Sequence, residues 1–422
     1  MKTALLRPVA VADVPDTSRT GVDSATETAA AAIVANVREG GVDAMLRYAS
    51  RFDGWTPGTP WLFDRAAMRR ALDGLDGDAR DVLERTAGRI ASFARAQRAA
   101  LSDLTVPVAG GRAGHSIVPI ERAGCYAPAG RFPLPSSLLM TAVTARAAGV
   151  SDVVVATPSP GPLMLATAAI ADADLLLGIG GAQSIAALAY GVGVPACDIV
   201  VGPGNRWVTA AKKAVAGNVA IDMLAGPSEL VVVADASARA ATVAADLLAQ
   251  AEHDPDAFVA LVTTEPRLVA EVERELERQL SALPTAAIAR AALAHGCVVV
   301  CRDLDDVVTV CDRLAPEHLQ LSVRNPDLLA ARVRNAGACF IGEHSAEVFG
   351  DYGIGGNHVL PTGRRARFSG GLSALTFLRV RSWLRLDAAG SVVADVAALA
   401  RIEGLEAHAR AAECRQRPGV RD

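Results

Sequence analysis

From about residue 25 onward the chain alternates between stretches with apolar residues at helical spacing and short, continuous apolar runs. Helical spacing covers TETAAAAIVANVREGGVDAMLRYASRF, with a stop expected at Gly40-Gly41, and then RAAMRRALDGLDGDARDVLERTAGRIASFARAQRAAL. Next come the runs DVVVAT, ADLLLGI, CDIVVG, ELVVVAD, FVALVTT, GCVVVC and ACFIG, with helical patterns between them. Apolar runs that do not alternate with polar residues mark strands covered on both faces, so the pattern predicts an α/β architecture with parallel sheets. The runs fall into two series, roughly 125–228 and 229–375. A helical N-terminal region precedes them, and from 376 a tail follows whose segment VVADVAALARIEGLEAHARAAECRQRPG reads as a single helix.

Composition narrows the function classes. With 422 residues the chain has room for two or three domains. A net charge of −4 offers no basic surface for nucleic acid or anionic lipid. No apolar run is long enough to span a membrane, and the start MKTALLRPVAVADVPDTSRTG lacks the apolar segment of a signal peptide, so a cytoplasmic location is expected. The cysteines (125, 197, 297, 301, 311, 339 and 414) show no paired spacing and read as reduced, packed thiols.

Three glycine-containing turns could line a nucleotide crevice. LLLGIGGAQSIAAL runs strand, turn, helix, but Gln183 stands where the dinucleotide fingerprint needs its third glycine. VVGPGNRWV places Asn205, able to donate and accept, after a strand. ERAGCYAPAGRFPLPSS is irregular and carries Tyr126.

The polar clusters are sharper. In DLLAQAEHDPDAFVALV, Gln250 and His253 lie three apart and share a helix face, while Glu252 points elsewhere. Two such residues can offer a metal two ligands; they can equally be a hydrogen-bonded helix end. DRLAPEHLQL sets Glu317 beside His318, FGDYGIGGNHVLPT holds Asp351 and His358, and RIEGLEAHARA holds Glu403 and His408. Capping, turn chemistry and a solvated helix face would each explain one of these. Four of the seven histidines stand beside carboxylates in these segments, and the sum is more telling than any part.

In order along the chain, GPGNRWVTAAKK, AIDMLAGPSEL, DLLAQAEHDPDA, APEHLQL, GDYGIGGNHVLPT, RFSGGLS and EGLEAHA resemble the histidinol dehydrogenases, from about residue 25 to 410. The resemblance implies oxidation of an amino alcohol, L-histidinol, through L-histidinal to L-histidine with two NAD, the last step of histidine biosynthesis. It implies one zinc per subunit, held by Gln250, His253, Asp351 and His408. Substrate contacts would be Ser228, His358 and Glu403, joined by the metal ligands and His318. Removing the hydroxyl proton calls for a base of near-neutral pKa, which suits His318, with Glu317 as the water-activating carboxylate. Tyr126, Gln183 and Asn205 would contact NAD, and Glu252 is left to brace a neighbour.

The implied architecture is two incomplete Rossmann-like domains with parallel sheets, a helical N-terminal region and an extended helical C-terminal tail. Residues 1–24 would be an arm, 25–124 with 229–375 a first α/β domain carrying the metal and catalytic residues, and 125–228 the NAD-binding domain. The tail, 376–422, would reach the partner subunit of an intertwined homodimer with shared active sites. Departures from the family pattern are Ala129-Gly130 in place of a Gly-Gly turn, Arg364 and Arg365 after PTG, and the segment FLRVRSWLRL. The arginines raise the alternative of a paralogue oxidising another alcohol, such as a sulfonated propanediol, with NAD and zinc; Glu403 argues against it. A zinc hydrolase using Glu317 or Glu252 would leave the glycine turns unexplained, and a silent scaffold would not need every acid, base and ligand.

Overall fold

The computed structural model describes residues 4–15, 22–129 and 133–415. Its early strands are β1 (Arg7–Pro8), β2 (Leu62–Asp64), β3 (Leu104–Val108), β4 (Gly111–Pro119) and β5 (Arg122–Tyr126). There follow β6 (Asp152–Ala156), β7 (Leu175–Leu177), β8 (Ile199–Val201), β9 (Ala220–Ile221) and β10 (Glu229–Ala234). The last are β11 (Phe258–Thr263), β12 (Cys297–Val300), β13 (His318–Ser322), β14 (Ala338–Ile341) and β15 (Leu378–Leu386). Two compact units result. One runs to Arg95 and resumes over Ile120–Phe377; the other takes Ala96–Pro119 and the chain from Leu378 onward.

The first unit holds two six-stranded sheets, ordered β2-β7-β6-β5-β8-β9 and β1-β12-β11-β10-β13-β14. Numbering each series from its first central strand, both follow the order 3-2-1-4-5, the Rossmann order one strand short of six, with an extra strand at the edge. In the first sheet that extra strand, β2, is antiparallel to β7; in the second, β1 runs parallel to β12. Each of the seven apolar runs contains one of these strands, and for all but β14, which alternates, burial explains why they do not alternate. Along β10, Leu230 and Val232 pack into one core and Val231 and Val233 into another, on opposite faces of the sheet.

Two expectations about organisation change. The helix Ser24–Phe52 and β2 do not join the 229–375 series; they pack on the other sheet. Its stripe Ala30, Ile33, Val34 and Val37 shares a core with Ile185, Ala186 and Val208, so 25–124 divides by where its apolar faces find cover. The expected stop at Gly40-Gly41 is present: Gly41 has a non-helical φ of +59°, and Ser24–Phe52 is two helices meeting at that kink. The N-terminal arm also contributes a strand, β1.

The second unit is an antiparallel sheet, β15-β4-β3, with a pair of helices, Gly390–Ile402 and Glu406–Glu413. The helical tail expected from 376 therefore starts as a strand: β15 pairs with β4 over its whole length, from Leu378↔Pro119 to Leu386↔Gly111. The single helix expected after it is two, because Gly404 takes a left-handed φ of +77° that ends the first. Among the described residues no helix is long and apolar enough to cross a membrane.

One buried ion pair holds the turn after β8. The Lys212 ammonium meets the Asp222 carboxylate, both side chains at 2% exposure or less. Lys212 Nζ also donates to the Gly202 carbonyl (3.0 Å), and the Gly202 amide donates to Asp222 (2.8 Å). Gly202 itself admits no side chain, since a Cβ there would lie 2.0 Å from the Tyr126 carbonyl oxygen. Lys212→Met should cost about 3–5 kcal/mol in chemical denaturation, because it strands a buried carboxylate. Adding Asp222→Leu should recover most of that loss.

Candidate active site

The two sheets use opposite edges. Around the first, the residues of interest follow the carboxyl ends of strands: Tyr126 closes β5, Gln183 lies in the helix after β7, and Asn205 caps the helix after β8. This is the switch point of the sheet, between β5 and β8, where ligands of open α/β folds bind. Tyr126, Gln183 and Asn205 line a cavity of about 580 Å³ together with Phe52, Asp53 and Trp207. The Tyr126 hydroxyl accepts from the Gly181 amide (3.4 Å), and burial pushes its pKa up to about 12. Asn205 is half committed: its Oδ1 caps the helix at Trp207 and Val208, so only its NH2 could serve a ligand. Asp53 was not foreseen. Its carboxylate takes the Gly180 amide and the Gln183 side chain, each at 3.0 Å, and nothing in RFDG marks it in the sequence.

Around the second sheet the site lies at the amino ends. Ser228 precedes β10, His253 precedes β11, and Glu317 leads directly into His318, the first residue of β13. Parallel pairing sets Leu230 beside His318, which brings the two strand starts together. The Glu229 amide then donates to Glu317 Oε2 (2.9 Å), while His318 Nδ1 donates to the Glu229 carbonyl (3.1 Å). That bond sets the tautomer and leaves Nε2 with its lone pair. Glu317 Oε2 and His318 Nδ1 are 3.6 Å apart, both side chains nearly sealed from solvent.

Burial shifts both groups toward neutrality. Desolvation, with the charges of Glu229 and Asp351, raises Glu317 well above the ordinary carboxyl range. Desolvation lowers His318 to about 4, against the near-neutral value expected from its role, with Asp351 opposing the shift. His358 is lowered by the same cause; its Nδ1 donates to the Asp351 carbonyl (2.9 Å) and its Nε2 lies 3.4 Å from Ser137 Oγ. Ser137, the last residue of the irregular segment that carries Tyr126, is a further neighbour.

Of the expected metal ligands, the first unit holds Gln250, His253 and Asp351, and the last two face each other. The helix Ala240–Ala251 ends just after Gln250, and a turn bond from the His253 amide to the Gln250 carbonyl (3.3 Å) keeps the two side by side. His253 Nε2 lies 3.7 Å from Asp351 Oδ2, and His318 Nε2 lies 3.8 Å from Asp351 Oδ1. Ligand atoms of His253, Asp351 and Glu347 all fall within 4.8 Å of one another. Gln250 Oε1, His318 Nε2 and both Glu347 oxygens are buried without a hydrogen-bond partner among the described residues. Buried polar atoms are normally paired, so the clustered imidazole and carboxylate donors fit a divalent cation, and the unpartnered Gln250 amide oxygen is of a type that could join them. Glu252 turns away and takes the Thr285 hydroxyl (2.5 Å). The fourth expected ligand, His408, and the substrate contact Glu403 are exposed residues of the second unit.

Ser228, His253, Glu317 and His358 line a second cavity, about 540 Å³, to which Asn205 also contributes. The nucleotide-type cavity and the polar cavity thus share a wall. Arg364 lines a different cavity, with Arg313 and Arg367, and Arg365 folds back onto the Thr362 carbonyl (3.4 Å). Of the Ala129-Gly130 departure, Gly130 lies outside the described residues.

Known proteins bear directly on this arrangement. The sequence profile of the family "Histidinol dehydrogenase" matches residues 17–416. A histidinol dehydrogenase of Thermus thermophilus is 45% identical, the match covering 93% of this chain and 95% of that one. One of Bordetella parapertussis is 42% identical, covering 93% and 91%. The crystal structure of histidinol dehydrogenase from Elizabethkingia anophelis superposes with a TM-score of 0.91 at 28% identity, over 98% of this chain and 99% of that one. With a match that spans both sheets and the tail, the chain belongs to the histidinol dehydrogenase family.

Proposed function

We propose that this chain oxidises L-histidinol to L-histidine in two successive steps, each passing a hydride to NAD, with one zinc ion per subunit. The observation that carries the reading is the pair of cavities sharing Asn205, one edged by Tyr126 and Gln183, the other by His253, Glu317 and His358. NAD, when bound, takes up the hydride, and the metal, when bound, polarises and orients an amino-imidazole substrate. Gln250, His253 and Asp351 would hold that metal.

In the first oxidation the hydroxyl proton passes to His318 Nε2 as hydride leaves the carbon. Burial keeps that nitrogen unprotonated at neutral pH, and the Glu229 carbonyl holds the ring in the tautomer that can accept. In the second, water adds to the aldehyde. Glu317, once ionised, takes the water's proton, its carboxylate steadied by the Glu229 amide. The hydrated aldehyde then loses its second hydride, with the hydroxyl proton again going to His318. Ser228 and His358 border the substrate in the same cavity.

A second copy of the chain completes the site in this reading, its tail bringing Glu403 to the substrate and His408 to the metal. In support, the tail helices leave Val396, Leu399, Ile402 and Leu405 exposed, an apolar face that another protomer would cover. In this reading residues 125–228 are the NAD-binding half and 229–375 carry the metal, in a cytoplasmic enzyme.

Two measurements test this. Zinc-loaded protein given histidinol and excess NAD should form about two NADH per histidinol consumed, and chelator-treated protein almost none until zinc is restored. No NADH from histidinol, with turnover of a sulfonated alcohol instead, would move the chain to another substrate. Glu317→Gln should slow the overall reaction by about 10²–10⁴-fold while sparing the first hydride transfer. The aldehyde should then be trapped by semicarbazide, with NADH yield falling toward about half.

A further inference from the structure

The short helix Glu347–Asp351 carries two carboxylates one helical turn apart, and residues four apart project from the same helix face. Its last residue, Asp351, belongs to the set described above; Glu347 has no role there. Glu347 is 2% exposed, and neither of its oxygens has a hydrogen-bond partner among the described residues. A carboxylate used as a structural brace would hold an amide, a hydroxyl or a guanidinium, as Glu252 holds Thr285 and Asp53 holds Gly180. Glu347 holds none. Instead it faces His253 and Asp351, with ligand atoms of the three all within 4.8 Å of one another. Donors on opposite sides of one cation are separated by about 4–5 Å at ordinary bond lengths. The helix bearing Gln250 packs against this one, closing the same space.

We propose that Glu347 is a further ligand of the metal in the resting enzyme, joining Asp351 from the same helix. The proposal rests on the metal reading of this cluster and adds to it a fifth protein group, the second carboxylate. With Gln250 and the histidines neutral, two carboxylates balance a dication where one leaves it with a net positive charge. A donor set with two carboxylate oxygens and an amide oxygen is also harder, and so more hospitable to manganese or cobalt.

Glu347→Gln keeps the shape and removes the charge. On the full-length dimeric protein, zinc affinity should be measured by chelator competition, and the visible absorption of the cobalt-substituted protein recorded, with Asp351→Asn alongside. Glu347→Gln should weaken zinc by about 10–100-fold and change the positions or intensities of the cobalt bands, while NAD binding at the other sheet stays as in the parent. Should Glu347→Gln fail to fold, Glu347→Asp, which keeps the charge but shortens the reach, should alter the cobalt bands in the same assay. Parental zinc affinity and parental cobalt bands in the folded variant overturn the proposal. Failure of the parent protein to bind zinc sinks the metal reading itself, a different outcome from a parent that binds and a variant that binds equally.

Discussion

The main chain of Glu229 orders the edge of the molecule that holds Glu317 and His318. Its N–H holds the Glu317 carboxylate and its carbonyl holds the His318 ring, so the two peptide groups flanking one residue aim both side chains. That is possible only because β10 and β13 run parallel in the register that sets Leu230 against His318. A one-residue slip would turn His318 to the other face of the sheet and dissolve the arrangement. Sheet pairing and site geometry are therefore one constraint. Orientation by main-chain atoms within a buried sheet also costs little additional ordering entropy, since the strands are fixed by their own packing.

Two sheets of the same strand order are put to different uses. In one, the carboxyl ends of β5 and β8 part at the switch point and leave room for a ligand. In the other, loops close the corresponding edge with their own bonds. Asp235 accepts from Ser237 and from the Arg324 amide, and Gln320 donates to the Gly342 carbonyl. The polar cavity opens instead at the amino ends of the strands, where the turn before β10 and the start of β13 meet. Opposite edges of similar sheets thus border one shared wall at Asn205, the arrangement required when hydride must pass from a substrate in one half to a nucleotide in the other.

Strands built from β-branched runs were legible in the chain because burial on both faces writes itself as a continuous apolar stretch. The two strands that carry Tyr126 and His318 were not. In β5, RAGCY reads as part of an irregular, glycine-rich segment, yet Gly124 is needed there because Leu188 and Cys197 lie 3.1–3.2 Å from where its Cβ would be. In β13, HLQLS looks like a polar interruption, because its histidine and glutamine are placed by hydrogen bonds rather than by hydrophobic burial. The second unit is hard to read locally for a related reason. FLRVRSWLRL alternates, which is the mark of a strand, but its neighbour β4 lies more than 250 residues away in sequence, and no local pattern announces it.

The chain by itself determined its α/β class, the positions of its both-face-buried strands, and, through ordered motifs, which residue types stand at which turns. Gln250, His253, Asp351, Glu317 and His318 could all be named from it. Only the tertiary structure decided which of them meet, that Glu347 stands among them, that Asp53 joins Gln183 in the other cavity, and that the helix Ser24–Phe52 covers the nucleotide-type sheet. The physical reason is one of range. Periodicity records whether a side chain is buried, a local consequence of the fold. Which partner it is buried against depends on strand register and helix docking between distant segments, and those are settled only when the whole core closes.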